Sequence, residues 1–134
     1  MKRTILFTHG ELCLGFKSAM NVIGAEEPKE LYCLSMRPGE APETAEGELK
    51  GILSKFDEND TKIVLTDIPY GSTTHVAIPM LENYKNLFIV SGVTLGLLMG
   101  VLMEDIDNDS AMESLDNLCN QSKETVVFMN KLME

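Results

Sequence analysis

Four short hydrophobic runs alternate along the chain with longer segments in which apolar residues recur every three or four positions. The short runs predict β-strands, and the longer periodic segments predict amphipathic helices. The predicted strands are residues 5–8, 31–36, 62–66 and 87–90. The predicted helices are residues 12–23, 44–56, 72–83, 94–104 and 110–122. Gly24 is expected as a C-cap, and Asp109 or Ser110 as an N-cap.

This alternation predicts an α/β fold, a doubly wound and mainly parallel open sheet in the order 2-1-3-4 with helices on both faces. Each strand–helix–strand crossover is expected to be right-handed. No repeat or linker divides the sequence, so we predict one domain over residues 1–134. Residues 125–129, TVVFM, have two interpretations: they extend the last helix, or they form an antiparallel strand at the sheet edge.

Charge and cysteine content narrow the functional class. The formal net charge of −10 disfavours non-specific binding to nucleic acid and docking on an anionic membrane surface. The acidity fits plain solubility as well as an acidic face that meets a basic partner. The three separated cysteines, Cys13, Cys33 and Cys119, form no disulfide pattern, which favours a cytoplasmic protein. The apolar run at 93–103 is too short to span a bilayer and predicts a buried helix.

The chemistry is expected at the carboxyl edge of the sheet, near the switch point of the winding. In the order 2-1-3-4, strands one and three are neighbours that end at His9 and Asp67, about 4.8 Å apart. If Asp67 accepts a hydrogen bond from the Nδ1–H group of His9, the Nε2 lone pair of His9 is a free nucleophile. Backbone amides at the turns containing Gly10 and Gly71, together with the Ser72 hydroxyl, are suited to bind a phosphoryl group.

Each of these features is common by itself. A histidine after a strand is more often structural than catalytic, and a Gly-Ser pair before a helix is ordinary turn chemistry. His75 falls one turn into the next helix, where a surface or core role is favoured over a role in the site. The sequence has no metal-ligand spacing, no GxxxxGK[ST] and no GxGxxG. We therefore expect neither a metal nor another cofactor.

Four short segments follow one another in a definite order. They are ILFTHG at 5–10, MRPGE at 36–40, VLTD followed by GS within 64–72, and SGVTL at 91–95. In this order, and at these intervals, they resemble the [S/T]-H-G, PGE, TD-x-x-G-G-S-P and GVNLPML segments of IIA domains from mannose-type sugar phosphotransferase systems. The resemblance covers nearly all of the chain.

The resemblance implies a cytoplasmic phosphoryl carrier without a cofactor. In that reading His9 accepts a phosphoryl group from the phosphocarrier protein HPr and passes it to a IIB component. Asp67 matches the carboxylate that pairs with the active histidine, and Ser72 matches a serine of the phosphate site. The family is usually homodimeric through a C-terminal edge strand, for which residues 125–129 are the candidate. No nucleic-acid partner is implied, and contact with the membrane is only through the permease components.

The chain also departs from the family pattern. Tyr70 replaces the first glycine of the glycine pair, Thr73 the proline, His75 an asparagine, and Gly96 the proline of NLPML. Two related functions therefore stay open: the phosphohistidine subunit that serves dihydroxyacetone kinase, and a non-catalytic regulatory module of the same fold. A response-regulator receiver is disfavoured because the end of strand one carries Thr8 and His9 instead of an acidic cluster. A flavodoxin is disfavoured because residues 10–13 are poor in hydroxyl groups.

Overall fold

The computed structural model describes residues 1–24 and 31–134, which form alternating strands and helices. The strands are β1 (Lys2–His9), β2 (Leu31–Met36), β3 (Thr61–Thr66) and β4 (Leu87–Ser91). The helices are α1 (Leu12–Gly24), α2 (Pro42–Leu53), α3 (Ser72–Ala77), α4 (Leu95–Met103), α5 (Ala111–Lys123) and α6 (Met129–Leu132), with a 3₁₀ helix at Ile78–Glu82. Gly24 is the last helical residue of α1, and the residues that would complete its predicted C-cap lie outside the described residues.

The sheet has the predicted strand order. Within the described residues it contains four strands in the order β2-β1-β3-β4, and every neighbouring pair is parallel. The register places Phe7 opposite Thr66 and His9 opposite Met36. The carboxyl ends of β1, β2 and β3 therefore meet at one edge of the sheet, which is where the sequence places the chemistry.

Alternating strand residues bury two hydrophobic clusters, one on each face of the sheet. Leu6 and Leu65 pack against α1, α4 and α5, whereas Ile5, Phe7 and Val64 pack against α2, α3 and the 3₁₀ helix. Residues buried on both faces are typical of a parallel sheet covered by helices on either side. This arrangement confirms the predicted α/β class with helices on both faces.

Proline divides the helix predicted at 72–83. α3 ends at Ala77, and the chain continues as the 3₁₀ helix Ile78–Glu82, which contains Pro79. Proline has no N–H to donate to the preceding turn, and its ring crowds the carbonyl four residues earlier. The α-helical hydrogen bonds therefore end here, and the 3₁₀ helix buries Met80 in the cluster on this face of the sheet.

The cap of α5 agrees with the prediction in position but not in its side-chain bond. Ser110 is the N-cap residue of α5, one of the two predicted candidates, but its side chain makes no cap hydrogen bond to the helix. Its hydroxyl instead accepts the Asp107 N–H at 3.0 Å. The Asp107 carboxylate in turn accepts the N–H groups of Asp109 and Ser110 at 3.0 and 2.8 Å, so the turn before α5 is held by hydrogen bonds within residues 107–110.

Both interpretations of residues 125–129 are wrong for the described chain. α5 ends at Lys123, where the Thr125 hydroxyl bonds back to the Ser122 carbonyl at 2.6 Å. Residues 125–128 then form neither helix nor strand, and α6 begins at Met129. The described sheet therefore lacks the antiparallel edge strand. Residues 125–128 are not part of the described sheet, and Val126 and Phe128 are 88% and 71% exposed.

None of the helices in the described part of the chain combines the length and the apolar character needed to cross a membrane. α4, which contains most of the apolar run at 93–103, buries Leu97, Leu98 and Val101 against the sheet, as predicted. Cys13 is buried, and Cys33 and Cys119 are partly buried; all three are free thiols.

Candidate active site

The carboxyl edge of the sheet brings His9 and Asp67 into direct contact. Nδ1 of the imidazole lies 2.9 Å from Asp67 Oδ2, and the His9 backbone N–H donates to the same oxygen at 2.9 Å. The His9 side chain is 39% exposed, whereas that of Asp67 is 8% exposed. Among the described residues, Nδ1 is the only ring nitrogen of His9 with a hydrogen-bond partner. Nε2 is therefore left with a free lone pair when Nδ1 carries the proton.

Thr8 and Gly10 shape the turn that carries His9. The Thr8 hydroxyl oxygen accepts the N–H of Cys13 at 2.8 Å and caps the start of α1. Gly10 has a φ of +55°, a conformation that other residues rarely adopt. Its N–H donates to the Met36 carbonyl at 2.8 Å, so this amide is already engaged. Gly10 thus contributes an open backbone without a side chain next to the imidazole.

The Asp67 carboxylate accepts four hydrogen bonds that fix it against His9. Oδ2 accepts the two bonds from His9, and Oδ1 accepts the Thr73 hydroxyl at 2.9 Å and the Ile68 N–H at 3.1 Å. Burial disfavours the charged carboxylate, but the hydrogen bonds from His9 and Thr73 outweigh it and hold the pKa of Asp67 below its ordinary value. Asp67 is therefore an anion at neutral pH and orients the Nδ1–H tautomer of His9.

Thr73 is a functional residue that the sequence interpretation missed. The sequence shows it only as a departure from the family's proline, but its side chain is buried and donates to Asp67. A proline at this position has no hydroxyl to donate. The available signal was a hydroxyl residue in the first helical turn after the aspartate, a pattern too common to be decisive without the fold.

Replacing Thr73 by valine, which keeps the shape and removes the hydroxyl, is expected to leave Asp67 Oδ1 with the Ile68 N–H alone. The pKa of Asp67 should then rise, because the carboxylate loses one of its four hydrogen bonds. The free energy of unfolding should fall by about 1 kcal/mol. Thr73→Ser retains the hydroxyl and should keep both the pKa of Asp67 and the stability close to their wild-type values. Equal pKa values of Asp67 in the valine and serine variants, measured by ¹³C NMR titration, would show that the hydroxyl does not position Asp67.

A second group of hydroxyls fixes the start of α3 beneath the site. Thr74 Oγ1 donates to the Ile68 carbonyl at 2.7 Å. It also lies 2.8 Å from Thr66 Oγ1 and 3.1 Å from Ser91 Oγ. A hydroxyl has one proton, so the hydroxyls of Thr66 and Ser91 must donate to Thr74. These bonds join the ends of β3 and β4 to the first turn of α3 and so fix the loop that contains Asp67 and Gly71.

A cleft of about 380 Å³, the His9 cleft, opens beside the imidazole. It is lined by His9, Gly10, Pro42, Ser72 and residues 36–40. Gly71 packs on the ring, since a Cβ at this position would lie 3.1 Å from both His9 Cε1 and Ile68 Cβ. The glycine at position 71 therefore leaves room for the imidazole. Ser72, the first residue of α3, also lines the cleft. Within residues 1–24 and 31–134, no group of His, Cys, Asp and Glu side chains is arranged to hold a metal ion.

His75 and Tyr70 lie on a neighbouring groove. This groove, of about 490 Å³, runs between α2 and α3 and is also lined by Glu43 and Glu46. Both side chains are exposed, Tyr70 to 90%. His75 does not line the His9 cleft, in agreement with the surface role that the sequence favoured.

Comparison with known protein families shows the family to which the chain belongs. The family described as EIIA-man, PTS system fructose IIA component, matches residues 3–119. The chain belongs to this mannose-type IIA family. The matched region runs from β1 into α5 and contains both His9 and Asp67. Comparison with curated protein sequences gave no match.

Solved structures of IIA proteins share the fold over almost the whole chain. The mannose/sorbose-specific IIA subunit of the phosphotransferase system from Enterococcus faecalis is 23% identical, with a TM-score of 0.84 over 95% of this chain and 94% of its own. Component EIIA from Streptococcus agalactiae is 20% identical, with a TM-score of 0.83 over 98% and 99%. The PTS IIA protein associated with the fucose utilization operon of Streptococcus pneumoniae is 20% identical, with a TM-score of 0.82 over 99% and 96%. These matches confirm the predicted fold.

Proposed function

We propose that this mannose-type IIA protein is a cytoplasmic phosphoryl carrier that accepts a phosphoryl group on His9 from HPr and passes it to a IIB component. The observation that carries the proposal is the 2.9 Å contact between Nδ1 of His9 and the Asp67 carboxylate, on a ring that lines an open cleft. This contact selects the tautomer in which Nε2 has a lone pair. A partly exposed imidazole is also accessible to a protein that donates a phosphoryl group.

The transfer exchanges one P–N bond for another. The Nε2 lone pair of His9 forms the new bond to phosphorus as the P–N bond of the HPr phosphohistidine breaks, and the donor imidazole leaves with the electron pair. The Nδ1 proton of His9 stays on the ring and keeps its hydrogen bond to Asp67, so the carboxylate balances the positive charge that develops on the ring. In the transfer to IIB, a nucleophile of IIB forms the new bond to phosphorus as the bond at Nε2 breaks, and the electron pair of the broken bond returns to Nε2.

The phosphoryl oxygens are expected to lie at the mouth of the His9 cleft, near Gly10, Gly71 and Ser72. The first amides of a helix have no carbonyl partner in their own helix, and Ser72 begins α3. The Ser72 side chain is exposed on the cleft and has a hydroxyl to donate. Gly71 permits a close approach because it places no side chain beside the ring.

Incubation of the protein with phosphoenolpyruvate, enzyme I and HPr tests the proposal. The protein should gain one phosphoryl group by intact mass, and the adduct should be acid-labile and base-stable, as a phosphoramidate is. Omitting HPr is the control and should prevent labelling. A folded wild-type protein that stays unlabelled in the complete mixture would contradict a carrier function and favour the non-catalytic regulatory alternative.

We further propose that the protein is a homodimer in which residues 125–129 pair with the sheet of a second copy. β4 is an edge strand, and an apolar groove of about 330 Å³ lies between it and α5. The segment 125–128 lies outside helix and strand, contains two β-branched valines and is exposed in the single chain. An open strand edge and an exposed apolar segment outside regular secondary structure are the two components that strand addition needs.

Replacing both Val126 and Phe128 by aspartate is expected to convert the dimer into a monomer, because a charged strand does not pack into an apolar groove. Light scattering at micromolar concentration should show the mass halved. Val22→Asp is a matched control, since Val22 is 83% exposed on α1, away from β4 and the tail. Wild-type protein that is already monomeric under these conditions would exclude the dimer.

A further inference from the structure

The turn after β2 brings an arginine to the His9 cleft. Arg37 follows Met36, the residue paired with His9 across β1 and β2. Pro38 and Gly39 then form a tight turn, with Gly39 at a φ of +69° and the Glu40 N–H donating to the Arg37 carbonyl at 3.1 Å. This is the sequence and geometry of a type II turn. Apart from His9 itself, Arg37 is the only basic residue among those that line the cleft.

Two carboxylates hold the Arg37 guanidinium by one of its nitrogens. Nη1 donates to Glu40 Oε2 at 3.3 Å and to Glu48 Oε1 at 3.2 Å. In the described part of the chain these are the hydrogen bonds that the guanidinium makes, so its Nε and Nη2 donors remain available. The side chain is 61% exposed. Arg37 is thus anchored at one edge, while the rest of the planar fork is accessible from the cleft.

Glu40 places a carboxylate in the cleft next to Arg37. Its side chain is only 8% exposed, and its Oε1 is buried without a hydrogen-bond partner in the described residues. Its Oε2 accepts the Arg37 backbone N–H at 3.1 Å in addition to Nη1. A phosphoryl group on His9 would enter a cleft that already contains this carboxylate and would be repelled by it. A cation beside Glu40 reduces this repulsion.

We propose that Arg37 binds the phosphoryl oxygens of phosphorylated His9 through Nε and Nη2, while Glu40 and Glu48 position the guanidinium through Nη1. This proposal rests on the proposed function of His9 as the acceptor. A guanidinium matches phosphoryl oxygens with two parallel donors, and hydrogen bonds to a charged oxygen are the stronger kind. The role needs the planar fork as well as the charge, so lysine does not fully replace arginine.

Transfer from phosphorylated HPr to the wild type, Arg37→Gln and Arg37→Lys tests the proposal. We expect Arg37→Gln to accept the phosphoryl group at least roughly 10-fold more slowly, because the variant loses a charge-assisted hydrogen bond to the phosphoryl oxygens. Arg37→Lys should recover only part of the rate. Lys85→Gln is the matched control, because Lys85 is an exposed lysine that pairs with Glu58 before β4, at the opposite edge of the sheet. It changes the net charge equally and should transfer at the wild-type rate.

The Nε–H resonance of Arg37 in a ¹⁵N NMR spectrum gives a direct readout. It should shift when the wild type is phosphorylated, and Glu48→Gln should reduce the shift by loosening the anchor. An Nε–H resonance that does not shift on phosphorylation, together with a wild-type transfer rate for Arg37→Gln, would overturn the role of Arg37 while leaving His9 as the acceptor. A wild type that takes no phosphoryl group would instead refute the proposed function.

Discussion

Replacing His9 by alanine is expected to abolish phosphorylation of the protein by HPr. The Nε2 atom is the proposed acceptor, and among the described residues no other histidine lines the His9 cleft. Intact mass after incubation with phosphoenolpyruvate, enzyme I and HPr should stay that of the unmodified chain. The effect should be complete because alanine removes the atom that forms the P–N bond.

The second histidine provides a matched control within the same chain. His75 is exposed on the neighbouring groove and makes no contact with Asp67, so His75→Ala should still take up one phosphoryl group. Circular dichroism should show both variants folded, since the His9 side chain is partly exposed at a strand end and the buried core does not depend on it. Labelling of His9→Ala at the wild-type level would refute the assignment and direct attention to His75.

Most of the fold was predictable because it depends on hydrophobic periodicity. Short apolar runs gave the four strands within a few residues, and the alternation with helices indicated the parallel sheet. The departures have local causes. Pro79 ended an α-helix whose apolar pattern continued, and the hydroxyl of the N-cap residue Ser110 bonds to the Asp107 N–H instead of to the helix. Residues 125–129 were ambiguous because their β-branched and aromatic side chains fit a helix face and an edge strand equally well, whereas residues 125–128 form neither.

The contact between His9 and Asp67 was predictable because parallel topology fixes which strand ends are neighbours. The network around the contact was not. Thr73 and Thr74 look like ordinary helix residues in the sequence, and only the fold shows that one hydroxyl reaches Asp67 and the other reaches Ile68. The engaged amide of Gly10 was equally hidden, since it depends on the carbonyl of Met36 in the adjacent strand.

Asp67 controls both the orientation and the charge of the acceptor, so Asp67→Asn should have the second-largest effect. Hydrogen bonds from His9 and Thr73 lower the pKa of Asp67, and the carboxylate is therefore charged when the wild type reacts. Asparagine keeps the size and one acceptor oxygen but removes the negative charge. It also brings an NH₂ group, which favours the wrong tautomer if it faces Nδ1. The phosphorylated ring would then lack the anion that balances its developing charge.

We expect the rate of transfer from phosphorylated HPr to Asp67→Asn to fall roughly 100-fold or more, comparable to the loss of a positioned acid–base partner. Rapid-quench labelling should measure the rate, and the end point should still approach one phosphoryl group because His9 is intact. Asp67→Glu is an informative comparison: it retains the charge but displaces the carboxylate, so it separates electrostatic balance from orientation. If Asp67→Asn accepts the phosphoryl group at the wild-type rate, the 2.9 Å contact with Nδ1 is structural, and the tautomer of His9 must be set by the solvent.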